Sequence, residues 1–93
     1  MSDLMIEKDV VIRNKLGLHA RAAAKFVHTA NNFKSQITLT RESKRIDGKS
    51  ILGILMLAAA QGTELTLRVE GPDEREACQS LLELIEDKFG EGQ

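Results

Sequence analysis

Apolar and polar positions alternate along two stretches of the chain and recur at helical spacing along three others. From Gln36 to Arg41 the alternation is strict, with Ile37 and Leu39 facing one way and Gln36, Thr38 and Thr40 the other, which predicts a half-buried strand. Glu64 to Glu70 repeats the pattern with Leu65, Leu67 and Val69 on one face. Asp9 to Arg13 predicts another strand, with Val10 and Ile12 on its buried side, while the more polar Met1 to Lys8 is expected to fray. Arg45-Ile46-Asp47 is a short hairpin partner for the 36–41 strand across the polar connection Arg41 to Lys44.

Between these strands the period changes. From Ala20 to about Asn32, Ala20, Ala23, Val27 and Ala30 recur at helical spacing, Phe26 widens the stripe, and Asn31-Asn32 supplies a stop. Ser50 to Ala60 is almost wholly apolar; its length and alanine content predict a helix capped by Ser50 and stopped by Gln61-Gly62. After Gly71-Pro72, Asp73 and Glu76 resemble a capping box, opening a helix that carries Ala77, Cys78, Leu81, Leu82, Ile85 and Phe89 on one face and ends at Gly90. The order is βαββαβα, an α+β fold in which one-faced strands predict an antiparallel sheet covered on one side. Gly17, in the loop after the first strand, is placed to take an unusual backbone angle.

With 93 residues the chain is expected to form a single domain, residues 1–93, with its core at about 9–89. The balance of 13 Lys+Arg against 14 Asp+Glu gives a net charge of -1, which does not suit a nucleic-acid surface. Phe26, Phe33 and Phe89 are the only aromatics, too few for a platform that stacks bases. Cys78 alone makes neither an internal disulfide nor a cysteine-based zinc site. His19 and His28, about 13 Å apart along a helix axis, do not form a metal pair. The apolar run 51–60 is too short to span a bilayer. The start of the chain carries acids rather than a signal-like apolar stretch, so a cytoplasmic location is expected.

Candidate chemistry concentrates at two helix starts. His19 stands where the first helix begins, beside backbone N–H groups that lack intrahelical partners and a dipole that favours anions. Arg21 can bring a guanidinium fork to the same space. A neutral imidazole is a good nucleophile, so this trio suits a phosphoryl acceptor; the plainer reading is a histidine that merely caps the helix. Ser50 caps the second helix, and a phosphate added there would meet a helix start that tolerates anions. In that helix Ile51, Leu52, Leu55 and Met56 cannot all face one sheet, which leaves an apolar flank for a partner. Cys78 reads as a small core residue, His28 as a surface residue, and Lys44, Arg45 and Lys49 as solvated charges.

Three segments carry a resemblance. Lys15-Leu16-Gly17-Leu18-His19-Ala20-Arg21, with Ala23 to Val27 after it, resembles the phosphorylation-site region of HPr, the histidine-containing phosphocarrier of the bacterial phosphotransferase system. Gly48 to Leu57 is similar to the family's regulatory serine segment, and Gln61 to Leu67 with Gly71 to Glu74 supplies the third match, all in family order and spacing over about residues 9–89. The resemblance implies an open-faced β-sandwich, a four-stranded antiparallel sheet with three helices on one face. It implies a carrier rather than an enzyme, without cofactor or metal. His19 would accept a phosphoryl group on Nδ1 from phosphorylated enzyme I and pass it to enzyme II A domains. Arg21 would steady that group, Ile51, Leu52 and Leu55 would form the docking patch, and Ser50 would be the serine modified by an HPr kinase/phosphorylase. A monomer is expected. The chain departs from the family at Ala22, where proline is usual, at His28, where some members carry a basic residue, and in a slightly longer start. Two other readings remain open: a nitrogen-branch paralogue with different partners, and an interaction module in which His19 is only a cap.

Overall fold

In a computed structural model, which describes residues 5–93, the elements follow in the order β1 (Met5–Val11), α1 (Ala20–Ala30), β2 (Gln36–Arg41), β3 (Lys44–Asp47), α2 (Ile51–Met56), β4 (Glu64–Glu70) and α3 (Glu74–Glu86). α3 ends at Glu86 rather than at Gly90, and Phe89, expected on its apolar face, lies beyond it in a left-handed turn over Lys88–Gly90 (φ 56, 56 and 75). The strands form one sheet in the order β1-β4-β2-β3 with every pairing antiparallel. Val10, Ile37, Leu39, Leu65, Leu67 and Val69 bury their side chains beneath the three helices, while Thr38, Thr40, Thr66 and Arg68 stay partly exposed on the open face. Alternation alone produces this result, because neighbouring strand residues point to opposite faces.

Both cleanly alternating strands, β2 and β4, have the predicted limits. Other elements differ for identifiable reasons. β1 begins at Met5 rather than Asp9, because Met5 to Lys8 pair in register with Glu70 to Leu67; of the stretch expected to fray, residues 1–4 lie outside the described residues. A charged edge strand is held by its ladder and gives little apolar signal. Lys44 belongs to β3, leaving Glu42-Ser43 as the turn. The buried stripe of α1 is Ala22, Ala23, Phe26, Val27 and Ala30; Ala20 is exposed, rotated off the stripe.

The largest difference is α2. It stops at Met56 instead of Ala60, because Ala58 takes a left-handed conformation (φ 50) and the chain turns so that Leu57 and Ala59 enter the core. Arg41 donates to the carbonyls of Leu57 (2.8 Å) and Ala58 (3.0 Å), and Lys44 to that of Met56 (3.1 Å), so cations from the β2–β3 hairpin satisfy the helix end. Lys44 and Lys49 are therefore not simply solvated charges: Lys49 Nζ donates to Phe33 O at 2.7 Å. Nor does Asp73 form a capping box. Its carboxylate accepts from Lys34 N (2.8 Å), Ser35 N (2.9 Å) and Ser35 Oγ (2.5 Å), tying the α1–β2 loop to the start of α3. The Ser35 hydroxyl first, then the Lys34 amide, hold the Asp73 carboxyl below its usual range. Cys78 is a core residue as expected, and burial pushes its thiol up against a smaller opposing pull from Lys8.

Candidate functional site at the start of the first helix

The loop from Ile12 to His19 crosses from the sheet to α1, and Gly17 fixes its course. Gly17 has φ 70, and a Cβ there would lie 2.5 Å from Ala59 O and 2.9 Å from Ala60 Cα. Only glycine combines that angle with that approach. Leu18 N–H donates to Ala59 O at 2.9 Å, so the loop is pinned against the segment that follows α2. His19 then leaves the loop in an extended conformation as the N-cap of α1.

Its imidazole is held at both nitrogens. Nδ1 accepts from the backbone N–H of Arg21 at 3.3 Å, a long and therefore weak bond. Nε2 donates to the Glu91 carboxylate, which arrives from beyond α3. Burial pushes the Glu91 carboxyl up, but hydrogen bonds from His19 and Asn14, with attraction to His19 and Lys25, outweigh it and hold the group below its usual range. An ionised Glu91 only accepts, so the ring proton belongs on Nε2; the Arg21 amide only donates, so Nδ1 presents a lone pair. Both contacts select one neutral tautomer. Its unprotonated nitrogen faces the helix start, where unpaired N–H groups and the dipole favour an anion.

The Arg21 side chain is exposed and has no carboxylate partner among the described residues. With Lys15, Leu16, Lys25, Gly90, Glu91 and Gln93 it lines a 280 Å³ depression between α1 and the segment after α3. Two contacts hold the segment after α3 against the loop and α1: Lys25 Nζ donates to Phe89 O (2.6 Å) and Lys15 N–H to Gln93 O (2.9 Å). Phe89 anchors it in the core. Glu91 was not legible in the sequence, where it lies 72 residues from His19 between two glycines. The sole hint was an acidic residue just beyond a helix stop.

Ser50 is the N-cap of α2, its Oγ accepting from Gly53 N–H at 3.0 Å. Ile51 (43%), Leu52 (70%), Leu55 (37%) and Met56 (58%) are exposed, forming the apolar flank expected of this helix, and Leu16 (69%) adds apolar surface from the loop before α1. Ala22, in place of the family's usual proline, is wholly buried in a regular first turn, so the helix start does not depend on a fixed proline φ. His28 is exposed. No helix among the described residues is long and apolar enough to cross a membrane, and those residues contain no metal-binding cluster of His, Cys, Asp and Glu.

Residues 6–87 match the family model described as "PTS HPr component phosphorylation site". The phosphocarrier protein HPr of Cupriavidus necator is 52% identical over 89 residues, covering 96% of this chain and 100% of the relative. HPr of Neisseria meningitidis serogroup B is 51% identical, with the same coverage of 96% and 100%. Among solved structures, HPr-C-His from Thermoanaerobacter tengcongensis superposes with a TM-score of 0.89 at 50% identity, covering 92% of this chain and 97% of the other.

Proposed function

Because the chain belongs to the HPr family of phosphocarriers of the phosphotransferase system, we propose that His19 is the residue that carries the phosphoryl group, on Nδ1. The observation that carries this reading is the two-sided hold on the imidazole: Glu91 accepts a hydrogen bond from Nε2–H, which keeps the proton there and leaves the Nδ1 lone pair facing the start of α1. In transfer from enzyme I, that lone pair forms the N–P bond as the bond to the donor breaks, its electron pair returning to the donor atom. The ring gains positive charge, and the Glu91 carboxylate offsets it without taking the proton, as the aspartate does in a Ser-His-Asp triad. The Arg21 amide, freed from its long bond to Nδ1, turns to a phosphoryl oxygen, and the Arg21 guanidinium is free to do the same. Delivery to an enzyme II A domain is the reverse displacement.

Ile51, Leu52 and Leu55 form the apolar docking surface for enzyme I and the A domains, with Leu16 and Met56 extending it. Ser50 is the regulatory position, open to an HPr kinase/phosphorylase. A phosphate there would sit beside Ile51 and Leu52 and hinder docking by the desolvation it demands. The protein works in the cytoplasm as a monomer, without cofactor or metal. Incubation with enzyme I and phosphoenolpyruvate tests the acceptor directly. One phosphoryl group, acid-labile and base-stable, should be found on His19, and His19→Ala should take up none; transfer to His19→Ala overturns the assignment.

A further inference from the structure

We infer that Asn14 is a positioning residue for phosphoryl transfer, acting through Glu91 to set the tautomer and aim of His19; the inference rests on the reading of His19 as the acceptor. Asn14 is wholly buried. Its Nδ2 donates to Gly17 O at 2.7 Å and to Glu91 Oε1 at 3.0 Å. Both partners are acceptors, so the amide has one workable orientation; rotated by half a turn, its oxygen would face a carbonyl and a carboxylate. In that orientation Oδ1 is buried without a partner among the described residues. The amide is thus committed as a double donor, one hydrogen to the loop carbonyl and one to the carboxylate that meets the imidazole.

The two bonds close a circuit. Gly17 O, which takes one Asn14 hydrogen, also accepts the backbone N–H of His19 at 2.9 Å. Glu91 takes the other hydrogen on Oε1 and meets His19 Nε2 with Oε2. The path therefore runs from the His19 backbone through Gly17, Asn14 and Glu91 back to the His19 ring. With both oxygens engaged, the carboxylate has a single rotamer, and the ring proton has a single preferred site. Lys15 N–H and Lys25 Nζ hold the backbone of the same segment independently. Loss of Asn14 therefore frees the Glu91 side chain without releasing the segment.

The test combines transfer kinetics with ¹⁵N NMR of the unphosphorylated imidazole. Asn14→Ala should lower the kcat for phosphoryl acceptance from enzyme I about tenfold, the lower end of the range for removing the outer partner of a metal-bound histidine. KM should be unchanged, because Ile51, Leu52 and Leu55, the centre of the docking surface, stand on α2 and not in the loop that Asn14 braces. The ¹⁵N shifts should show a smaller fraction of the Nε2–H tautomer. In a Glu91→Ala background the same substitution should have no further effect on rate or tautomer. Equal slowing in both backgrounds, or an unchanged tautomer, overturns the inference. Should Asn14→Ala fail to fold, Asn14→Asp has the same shape and replaces a donor with a group that repels Glu91; it should show the same two changes. One measurement leaves residue 14 intact: in Glu91→Ala one Asn14 side-chain amide proton should lose its downfield shift, and unchanged amide resonances overturn the coupling. If the unsubstituted protein takes no phosphoryl group on His19, the acceptor reading fails, while the tautomer still decides whether Asn14 acts through Glu91.

Discussion

Two helix starts in this protein have the same local design and opposite chemistry. At α1, His19 Nδ1 accepts from an amide two residues on at 3.3 Å; at α2, Ser50 Oγ accepts from an amide three residues on at 3.0 Å. The serine forms an ordinary cap. The histidine caps poorly, and its ring is held more firmly from the far side by Glu91. A weak cap keeps a lone pair available at a helix start; a good cap consumes it. The comparison also separates scaffold from site. Ser50 is held within its own helix, whereas one of the two bonds that orient the His19 ring comes from across the fold.

The largest expected break in this contrast is Glu91→Gln. An amide can donate to Nε2 and so favour the tautomer with the proton on Nδ1. Phosphoryl acceptance should fall roughly a hundredfold in single-turnover assays, with the melting temperature nearly unchanged. Unaltered transfer would mean that Glu91 only tethers its segment. Next comes the partner helix. Ser50→Ala should lose about 1 kcal/mol of stability by denaturant titration, as an N-cap does, and transfer at the normal rate. Ser50→Asp should keep the cap and slow transfer; equal rates for the two variants would reduce Ser50 to scaffold.

Smaller still is the effect at the other end of α2. Ala58 holds a left-handed angle that alanine adopts at a cost. Ala58→Gly should therefore stabilise the fold by about 0.5 kcal/mol, after the extra chain entropy of glycine is set against the relieved strain. A loss of stability would show that the Ala58 methyl packs usefully.

The subtlest test adds a third helix start. Asp73 sits where a cap belongs but spends its carboxylate on Lys34 and Ser35. Because its folded-state pKa is lowered, its contribution to stability is complete above the usual carboxylate range and disappears as pH falls through the lowered value. The stability gap between the unsubstituted protein and Asp73→Asn should be constant near neutrality and close below about pH 4. A gap that persists in acid would show that ionised Asp73 is not what holds the loop.

Read residue by residue, legibility follows the range of the interaction. The limits of β2 and β4 could be read because alternation is a local signal carried by Ile37, Leu39, Leu65, Leu67 and Val69. His19, Arg21 and Ser50 were legible as helix-start residues, and the structure sets His19 and Ser50 at caps, with Arg21 two residues past the first. Met5 to Lys8 hid a strand because its pairing to β4 lies in the backbone, not in an apolar pattern. The pattern predicts a longer α2 than the fold forms, because alanine and leucine suit a helix equally well whether or not Ala58 turns out of it.

By itself, the sequence determined the order of elements, the face each strand buries and the place of the histidine at a helix start, since all of these follow from side-chain spacing and chain direction. Only the tertiary structure decided that Glu91 meets His19 Nε2, that Asn14 holds Glu91, and that Asp73 serves a distant loop instead of its own helix. Those contacts join residues 38 to 77 positions apart. No local pattern encodes them, because hydrogen-bonding groups far apart in the chain meet only after the core has packed and brought the loop, α1 and the segment beyond α3 together.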